Sequence, residues 1–144
     1  MATQLSVDIV TPDGRAFEGE ARGVQAPGIE GSFEVLRNHA PMIAAFEVGK
    51  LVVKTKDAYE DLTARNGRIE FATSGGFLEV LDNRVIVLAE TAEPSSDIDT
   101  ERAKKAEQRA LRRLDDSASP EEREEAEAAL TRARNRLRVS MGGV

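Results

Sequence analysis

Residues 93–103 read Glu-Pro-Ser-Ser-Asp-Ile-Asp-Thr-Glu-Arg-Ala, and the residue pattern of the chain changes across this stretch. Before it, short segments alternate apolar and polar residues, as half-buried β-strands do. After it, alanine, arginine and glutamate dominate, and apolar residues recur every three or four positions, as on one face of a helix. The sequence therefore predicts a β domain over residues 1–92, a linker over residues 93–96 and a helical domain over residues 97–144.

Short strands separated by turn signals fill the N-terminal domain. Residues 5–9 alternate apolar and polar side chains, which predicts the first strand. Further strands are expected at about residues 15–20, 22–26, 33–36, 51–55, 69–71, 77–81 and 84–89. The turn signals are Pro12-Asp13-Gly14, Asn66-Gly67 and Asp82-Asn83. Many short strands with such regular turns are typical of an antiparallel β-sandwich.

Two apolar seams at helical spacing predict two helices in the C-terminal domain. The first seam contains Ala103, Ala106, Ala110 and Leu114, and the second contains Ala126, Ala129, Leu130, Ala133 and Leu137. Between the seams, Ser119 is placed as an N-cap, Pro120 as the first helical residue and Glu122 three positions after the cap, which is a capping box. Two helices joined by so short a connection run antiparallel, as a hairpin.

The alanine-rich seams also predict that this hairpin is weakly stable. Each additional buried methylene group contributes only about 0.8 kcal/mol, whereas ordering one residue costs roughly 1–2 kcal/mol in backbone entropy. Alanine and arginine are strong helix formers, so the helices can persist while their packing changes. We therefore expect a hairpin that docks weakly and is able to open or extend along a partner.

The composition excludes several classes of function. The chain has no cysteine, which rules out disulfides and thiolate metal sites, and it has one histidine, His39. The formal net charge of −6 argues against nucleic acid as the main partner. No apolar stretch approaches the roughly 18–20 residues that span a bilayer, and the first residues resemble no signal or transit peptide. Any membrane association is expected to run through another protein.

Three motifs together carry a family resemblance. Residues 28–42 read Gly-Ile-Glu-Gly-Ser-Phe-Glu-Val-Leu-Arg-Asn-His-Ala-Pro-Met, residues 74–81 read Ser-Gly-Gly-Phe-Leu-Glu-Val-Leu, and residues 98–103 read Ile-Asp-Thr-Glu-Arg-Ala. In this order, with the change of domain between the last two, they resemble the epsilon subunits of bacterial F-type ATP synthases. The resemblance covers nearly the whole chain.

The resemblance implies a fold and a role. The fold is an antiparallel β-sandwich followed by two antiparallel helices, as the residue pattern predicts. The role is that of a non-catalytic rotor subunit, peripheral to the cytoplasmic face of the bacterial plasma membrane. The sandwich is expected at the foot of the central stalk, against the gamma subunit and the c-ring. The helices are expected to fold up, or to extend towards the alpha and beta subunits of the catalytic head and inhibit ATP hydrolysis.

The loop region that the family presents to the c-ring departs from the family pattern in this chain. It contains Ser32, Glu34, Arg37, Asn38 and His39. The family commonly has glycine at the position of Glu34, Pro-Gly at Arg37-Asn38 and an acidic residue at Ser32. Because such glycines usually supply unusual backbone angles, which asparagine tolerates better than glutamate, we expect the c-ring contact to differ in detail.

Some members of the family bind ATP through the helical domain. The positions of this chain that match are Glu93, Ile98, Asp99, Arg102, Ala103, Arg109, Arg132 and Arg136. Arg132 and Arg136 are four residues apart, so both project from one helical face, and guanidinium groups bind phosphate oxygens in pairs. The alternative is a solvated face with salt bridges to nearby glutamates. Asp99 is also expected to be an N-cap, with Ile98 and Ala103 as a hydrophobic staple.

Two other classes of function are weaker. A stand-alone ligand-binding β-sandwich with a helical oligomerisation tail would need broader, leucine-rich seams than this chain has. An enzyme would need a convergent acid–base or nucleophile set, and His39 has no fitting partners in the sequence. Gly75-Gly76 is followed by no helix, so it does not predict a phosphate cradle. We expect no catalytic residue, no metal and no required cofactor, with ATP as the only candidate regulatory ligand.

Overall fold

The computed structural model describes residues 4–55, 66–117 and 119–142. It divides into two compact units, Met1–Pro94 and Ser95–Val144. The first unit is a β-sandwich and the second is a helical hairpin, so the predicted fold class is confirmed.

The described residues of the first unit form ten strands in two layers. Layer 1 consists of β3 (Gly23–Gly28), β4 (Gly31–Leu36), β6 (Gly49–Lys54), β7 (Arg68–Thr73) and β10 (Ala92–Pro94). Layer 2 consists of β1 (Leu5–Thr11), β2 (Gly14–Ala21), β5 (Met42–Phe46), β8 (Gly76–Leu81) and β9 (Arg84–Ala89). The strand order is β10-β7-β6-β3-β5-β8-β9-β1-β2, with β4 beside β3. One pairing, Gly28 with Phe46, joins the two layers by hydrogen bonds.

The core of the sandwich is built from the inward-facing residues of both layers. Leu5, Val7 and Ile9 of β1 are fully buried, as their alternation predicts. Across the core, the rings of Phe17 on β2 and Phe71 on β7 meet edge to face, with centroids 6.4 Å apart. Such a pair adds about 0.5–1.5 kcal/mol beyond its buried area. This contact ties the two layers together.

One pair of strands departs from the antiparallel pattern. β1 runs parallel to β9, with Val7 beside Val85 and Ile9 beside Val87. Hairpin turns impose antiparallel pairing on neighbours in sequence, whereas these two strands are distant in sequence and no turn fixes their relative direction.

The residues at the predicted turns adopt backbone angles that their residue types favour. Asp82 and Asn83 have φ of 49° and 62°, which is the two-residue hairpin geometry expected between β8 and β9. Asn66 and Gly67 have φ of 55° and 74°. The strand that would precede Asn66 in a two-residue hairpin lies outside the described residues.

Sequence analysis missed β5 and β10. β5 reads Met-Ile-Ala-Ala-Phe and has no polar residue to mark an outer face. β10 contains three residues, and its Glu93 and Pro94, which we had assigned to the linker, pair with Ala72 and Phe71 of β7. This corrects the predicted linker: Pro94 is tolerated because β10 is an edge strand, where a proline need not donate a ladder hydrogen bond.

The second unit contains a short 3-10 helix (Ser95–Asp97), α1 (Thr100–Asp116) and α2 (Pro120–Ser140). Asp99 caps α1 by accepting a hydrogen bond of 3.1 Å from the Arg102 backbone N–H. Ser119 caps α2 by accepting one of 3.2 Å from the Glu122 backbone N–H. Both predicted N-caps are therefore confirmed.

The two helices are antiparallel and closed against each other. The Thr100 hydroxyl donates to the Ser140 hydroxyl over 3.3 Å, which joins the start of α1 to the end of α2. The seam is thin, because most of its fully buried side chains are methyl groups. The buried residues of the two helices are Ala103, Ala110, Ala126, Ala133, Asn135, Leu137 and Val139.

Candidate interaction surfaces

The outer face of layer 1 is charged. Because Leu51 and Val53 point into the core, their neighbours Lys50, Val52 and Lys54 point outwards. Lys50 lies 3.6 Å from Glu70 of β7, and Lys54 bonds Glu34 of β4 at 2.7 Å. This face is covered by internal ion pairs between its own strands.

The outer face of layer 2 carries several exposed apolar residues, together with the exposed Glu79, which pairs with Ile43. Ile43 on β5, Phe77 on β8 and Leu88 on β9 are 75%, 59% and 56% exposed. Phe77 pairs with Leu88 on one side and with Ala45 on the other, and Ala45 is two residues from Ile43. Side chains paired in this way share one face of a sheet, so the three form a continuous surface, called the apolar strip here.

Charged residues border the apolar strip. Asp8 of β1 is only 8% exposed although it lies on an outer face. Its carboxylate is 3.5 Å from Arg84 Nη2 and 3.7 Å from Arg15 Nε. Arg15 also bonds Glu18 at 3.0 Å. Of this cluster, Arg84 lies on the same strand as Leu88 of the apolar strip and on the same face of that strand.

The candidate c-ring residues fall into two places rather than one loop. Ser32 and Glu34 lie in strand β4, where the Ser32 hydroxyl accepts a hydrogen bond of 3.1 Å from Gln25 and Glu34 pairs with Lys54. Their backbone is extended, so the glutamate at position 34 needs none of the unusual angles that a glycine supplies. Glu34 therefore occupies this position without a left-handed backbone angle.

The remaining three candidates form the turn after β4. Asn38 has φ of 65°, the left-handed geometry that asparagine tolerates. Its backbone N–H donates to Asn83 Oδ1 over 2.6 Å, and Asn83 Nδ2 donates back to Asn38 Oδ1 over 3.3 Å. The neighbouring Arg37 is exposed, and His39 Nδ1 donates to the Ala40 carbonyl over 2.7 Å. These two hydrogen bonds hold the turn after β4 against the β8–β9 turn.

The candidate ATP-binding residues are partly brought together in the helical unit. Arg102 and Arg109 are exposed on α1, Arg132 is exposed on α2, and Arg136 is half-buried four residues further on. The Thr100–Ser140 contact brings the N-terminal turn of α1, with Arg102, to the C-terminal turn of α2. Asp99 is engaged as the N-cap.

Three other candidates have different surroundings. The side chains of Ile98 and Ala103 are buried, so in this closed hairpin they offer a ligand little beyond their backbone. Glu93 lies in β10 of the sandwich unit. The alternative to a ligand site, a salt-bridged face, is represented among the described residues by pairs between the helices such as Arg134–Glu107 at 3.1 Å and Arg113–Glu125 at 3.5 Å.

Sequence analysis missed the apolar strip, although a signal for it was present. Residues 85–88 read Val-Ile-Val-Leu, without the polar alternation that marks a strand with one solvated face. Such a run indicates that both faces of the strand are covered. In the isolated chain, Leu88 at its end is exposed instead.

Over residues 4–55, 66–117 and 119–142, no helix is long and apolar enough to cross a membrane. Within the same residues, no group of three or more histidine, aspartate or glutamate side chains is arranged to hold a metal ion.

Family models match both units. Residues 4–95 match the β-sandwich domain of the ATP synthase delta/epsilon chain, and residues 96–141 match its long α-helix domain. The fold and its two surfaces therefore define a delta/epsilon-type subunit of an ATP synthase. The chain is 66% identical to the ATP synthase epsilon chain of Salinibacter ruber, over 100% of this chain and 97% of the relative. It belongs to the ATP synthase epsilon chain family.

More distant relatives and solved structures agree. The epsilon chain of Desulforamulus reducens is 41% identical over 97% of this chain and 99% of its own length. A chain of the Euglena gracilis mitochondrial ATP synthase has the same fold, with a TM-score of 0.75 at 22% identity, covering 94% of this chain and 80% of that one. A chain of the Tetrahymena thermophila mitochondrial ATP synthase gives 0.69 at 14% identity, covering 94% and 96%.

Proposed function

We propose that this epsilon chain is a rotor subunit that joins the catalytic head to the c-ring and restrains ATP hydrolysis with its helical hairpin. In this proposal the sandwich binds the gamma subunit and the c-ring, and the hairpin meets the alpha and beta subunits when it extends. The subunit then lies at the cytoplasmic face of the bacterial plasma membrane, held there through the complex. The observation that carries the proposal is the apolar strip.

The apolar strip is the surface that we assign to the gamma subunit. Fully burying a leucine, isoleucine or phenylalanine side chain contributes about 1.5–3 kcal/mol, so three exposed ones are a strong reason for a partner to bind. Binding energy is usually concentrated in a few central apolar and aromatic residues. On the outer face of layer 1, the described ion pairs Lys50–Glu70 and Lys54–Glu34 are already made within the sandwich.

Binding to the purified gamma subunit tests this assignment. We expect Phe77→Ser and Leu88→Ser each to weaken the complex by at least about tenfold, since each removes a central apolar contact. Leu111→Ser is the matched control, because Leu111 is also exposed but lies on α1. Unchanged affinity of both strip variants would contradict the assignment. Association of the chain with itself through the strip, seen by size-exclusion chromatography, would favour the oligomeric alternative.

The turn at Arg37, Asn38 and His39 is the surface that we assign to the c-ring. It is fixed by the paired amides of Asn38 and Asn83, so it presents a defined shape rather than a loose loop. A rigid loop loses less entropy on binding, which suits a contact that must transmit torque. Crosslinking from a cysteine at position 37 to the c-ring in the assembled enzyme tests this assignment.

The helical hairpin is the element that we assign to regulation. Its extended form would carry the exposed Arg132, Arg134 and Arg138 to acidic surface on the catalytic head. We expect deletion of residues 117–144 to raise ATP hydrolysis by the assembled enzyme, because the inhibitory segment is gone. An unchanged rate of hydrolysis would remove the regulatory part of the proposal.

ATP is the ligand that we assign to the closed hairpin. Residues 128–140 of α2 contain four arginines and no acidic residue, and the Thr100–Ser140 contact joins the end of this segment to the first turn of α1, where Arg102 lies. Arg134 is paired with Glu107, whereas Arg102 and Arg132 are exposed, and a polyphosphate carries oxygens for both of these guanidinium groups. We expect Arg132→Ala with Arg136→Ala to weaken ATP binding in isothermal titration. Wild-type chain that binds no ATP at millimolar concentration would end this part of the proposal.

A further inference from the structure

A buried carboxylate beside the apolar strip is poorly satisfied in the isolated chain. Asp8 is 8% exposed, and its Oδ1 atom has no hydrogen-bond partner. Its nearest cations are Arg84 at 3.5 Å and Arg15 at 3.7 Å. Charged N–H···O bonds are ordinarily about 2.7–2.9 Å long. Asp8 therefore attracts both guanidinium groups without making a tight bond to either.

Arg84 is the more open of the two arginines. Arg15 is already bound to Glu18 at 3.0 Å, on its own strand. The side chain of Arg84 is 62% exposed, and its described contact is the long one to Asp8. A guanidinium carries five N–H donors, so most of those on Arg84 are left to solvent. It stands on the outer face of β9, four residues along from Leu88 of the apolar strip.

We propose that Arg84 is a specificity-determining contact of this face, which binds a carboxylate of the gamma subunit, and that Asp8 is its positioning residue. The inference rests on the proposed docking of gamma at the apolar strip. Docking there takes Arg84 out of water, and a desolvated guanidinium needs acceptors for its donors. Asp8 supplies one acceptor. A carboxylate of the partner can accept two parallel hydrogen bonds from the other N–H groups of the Arg84 guanidinium, and it balances the positive charge.

Affinity of the full chain for the purified gamma subunit, measured over a series of KCl concentrations, tests this inference. Arg84→Gln keeps a polar, though shorter, side chain with two N–H donors but removes the charge, and it is expected to weaken binding by about tenfold at low salt. The difference from wild type is expected to shrink as KCl rises, because screening weakens a charge pair. Asp8→Asn, which keeps the shape of the buried side chain, is expected to weaken binding several-fold with the same salt trend.

Arg22→Gln is the matched control, since Arg22 is exposed on the sandwich but lies between β2 and β3. Arg84→Gln also removes one of the two cations beside the buried Asp8 carboxylate, so a thermal melt of each variant, with binding measured below its melting temperature, separates lost folding from the lost contact. If Arg84→Gln binds gamma as tightly as Arg22→Gln at every salt concentration, the inference is wrong and the strip assignment stands. If the wild-type chain does not bind gamma at all, the proposed docking of gamma at the apolar strip is wrong.

Discussion

Asn83 connects three parts of the sandwich through its side chain and its backbone carbonyl. It adopts φ of 62° in the β8–β9 turn, and its side chain exchanges two hydrogen bonds with Asn38 in the turn after β4. Its backbone carbonyl also accepts a hydrogen bond of 2.9 Å from the Ser6 backbone N–H. One side chain thus joins the β8–β9 turn of layer 2 to the end of β4 in layer 1.

Two variants of Asn83 separate its roles. Asn83→Gly keeps the positive φ without strain but removes the amide, so it is expected to cost about 1 kcal/mol through the lost hydrogen bonds. Asn83→Ala adds the strain of a left-handed alanine and is expected to cost about 1–2 kcal/mol more. Urea unfolding of the chain measures both. Asn66→Ala is the control for strain alone, since Asn66 has φ of 55°. Equal stabilities of the two Asn83 variants would contradict the strain argument.

Local features at this scale were predictable from the sequence, whereas the face of a strand was not. The N-caps Asp99 and Ser119 depend on residues within three positions of themselves, so the sequence alone identifies them. The Asp82-Asn83 turn is local in the same way. The exposure of Phe77 beside the buried Leu78 depends on what covers each face of β8, which is decided by distant parts of the chain and by partners.

The helical hairpin is the element whose energetics matter most for the proposed regulation. Its seam buries alanines, so closure is supported by little apolar area and by exposed ion pairs such as Arg134–Glu107 and Arg113–Glu125. Exposed pairs of this kind contribute at most about 1 kcal/mol each. The open and closed hairpins are therefore expected to have similar free energies. A ligand or a partner can then shift the equilibrium through a modest difference in its affinity for the two states.

Enlarging one seam residue is expected to open the hairpin. Ala133→Leu forces a larger side chain into a closely packed seam, and overpacking costs about 1–3 kcal/mol. The natural chain has no cysteine, so labels on Thr100→Cys and Ser140→Cys report the distance between the helix ends without background. We expect that distance to lengthen in the Ala133→Leu variant.

Ala128→Leu is the control for this prediction, because Ala128 is exposed on the same helix. It is expected to leave the label distance unchanged and to keep the melting temperature of the sandwich. If the label distance in the Ala133→Leu variant stays as short as in the closed hairpin, the seam accommodates larger side chains than its alanines suggest.

At the scale of the whole molecule, the division into two units was visible in the residue pattern, but the last strand of the sandwich was not. The change from alternating to helical periodicity marks the start of the helical unit because each pattern reflects local geometry. β10 has only three residues, and it is defined by its pairing with β7, which is distant in sequence. The parallel pairing of β1 with β9 escaped prediction for the same reason. Long-range pairings of short strands leave little trace in a sequence.

The sandwich is expected to fold and to bind the gamma subunit without the helices, and the end of the truncated chain is expected to affect its stability. A chain of residues 1–94 retains β10, whose Glu93 and Pro94 cover the edge of β7 beside Ala72 and Phe71. A chain of residues 1–92 loses that pairing and is expected to melt several degrees lower, since a loss of about 1 kcal/mol shifts the midpoint of a domain this size by roughly 4–8 °C.

Gamma binding by the two truncated chains provides the decisive comparison. The apolar strip lies on β5, β8 and β9, away from β10 in the strand order, so both chains are expected to bind gamma with the affinity of the full chain below their melting temperatures. Phe77→Ser in the 1–94 chain serves as the negative control. A folded 1–94 chain that fails to bind gamma would mean that the helical unit supplies part of the binding surface, and the division of labour between the two units would then be wrong.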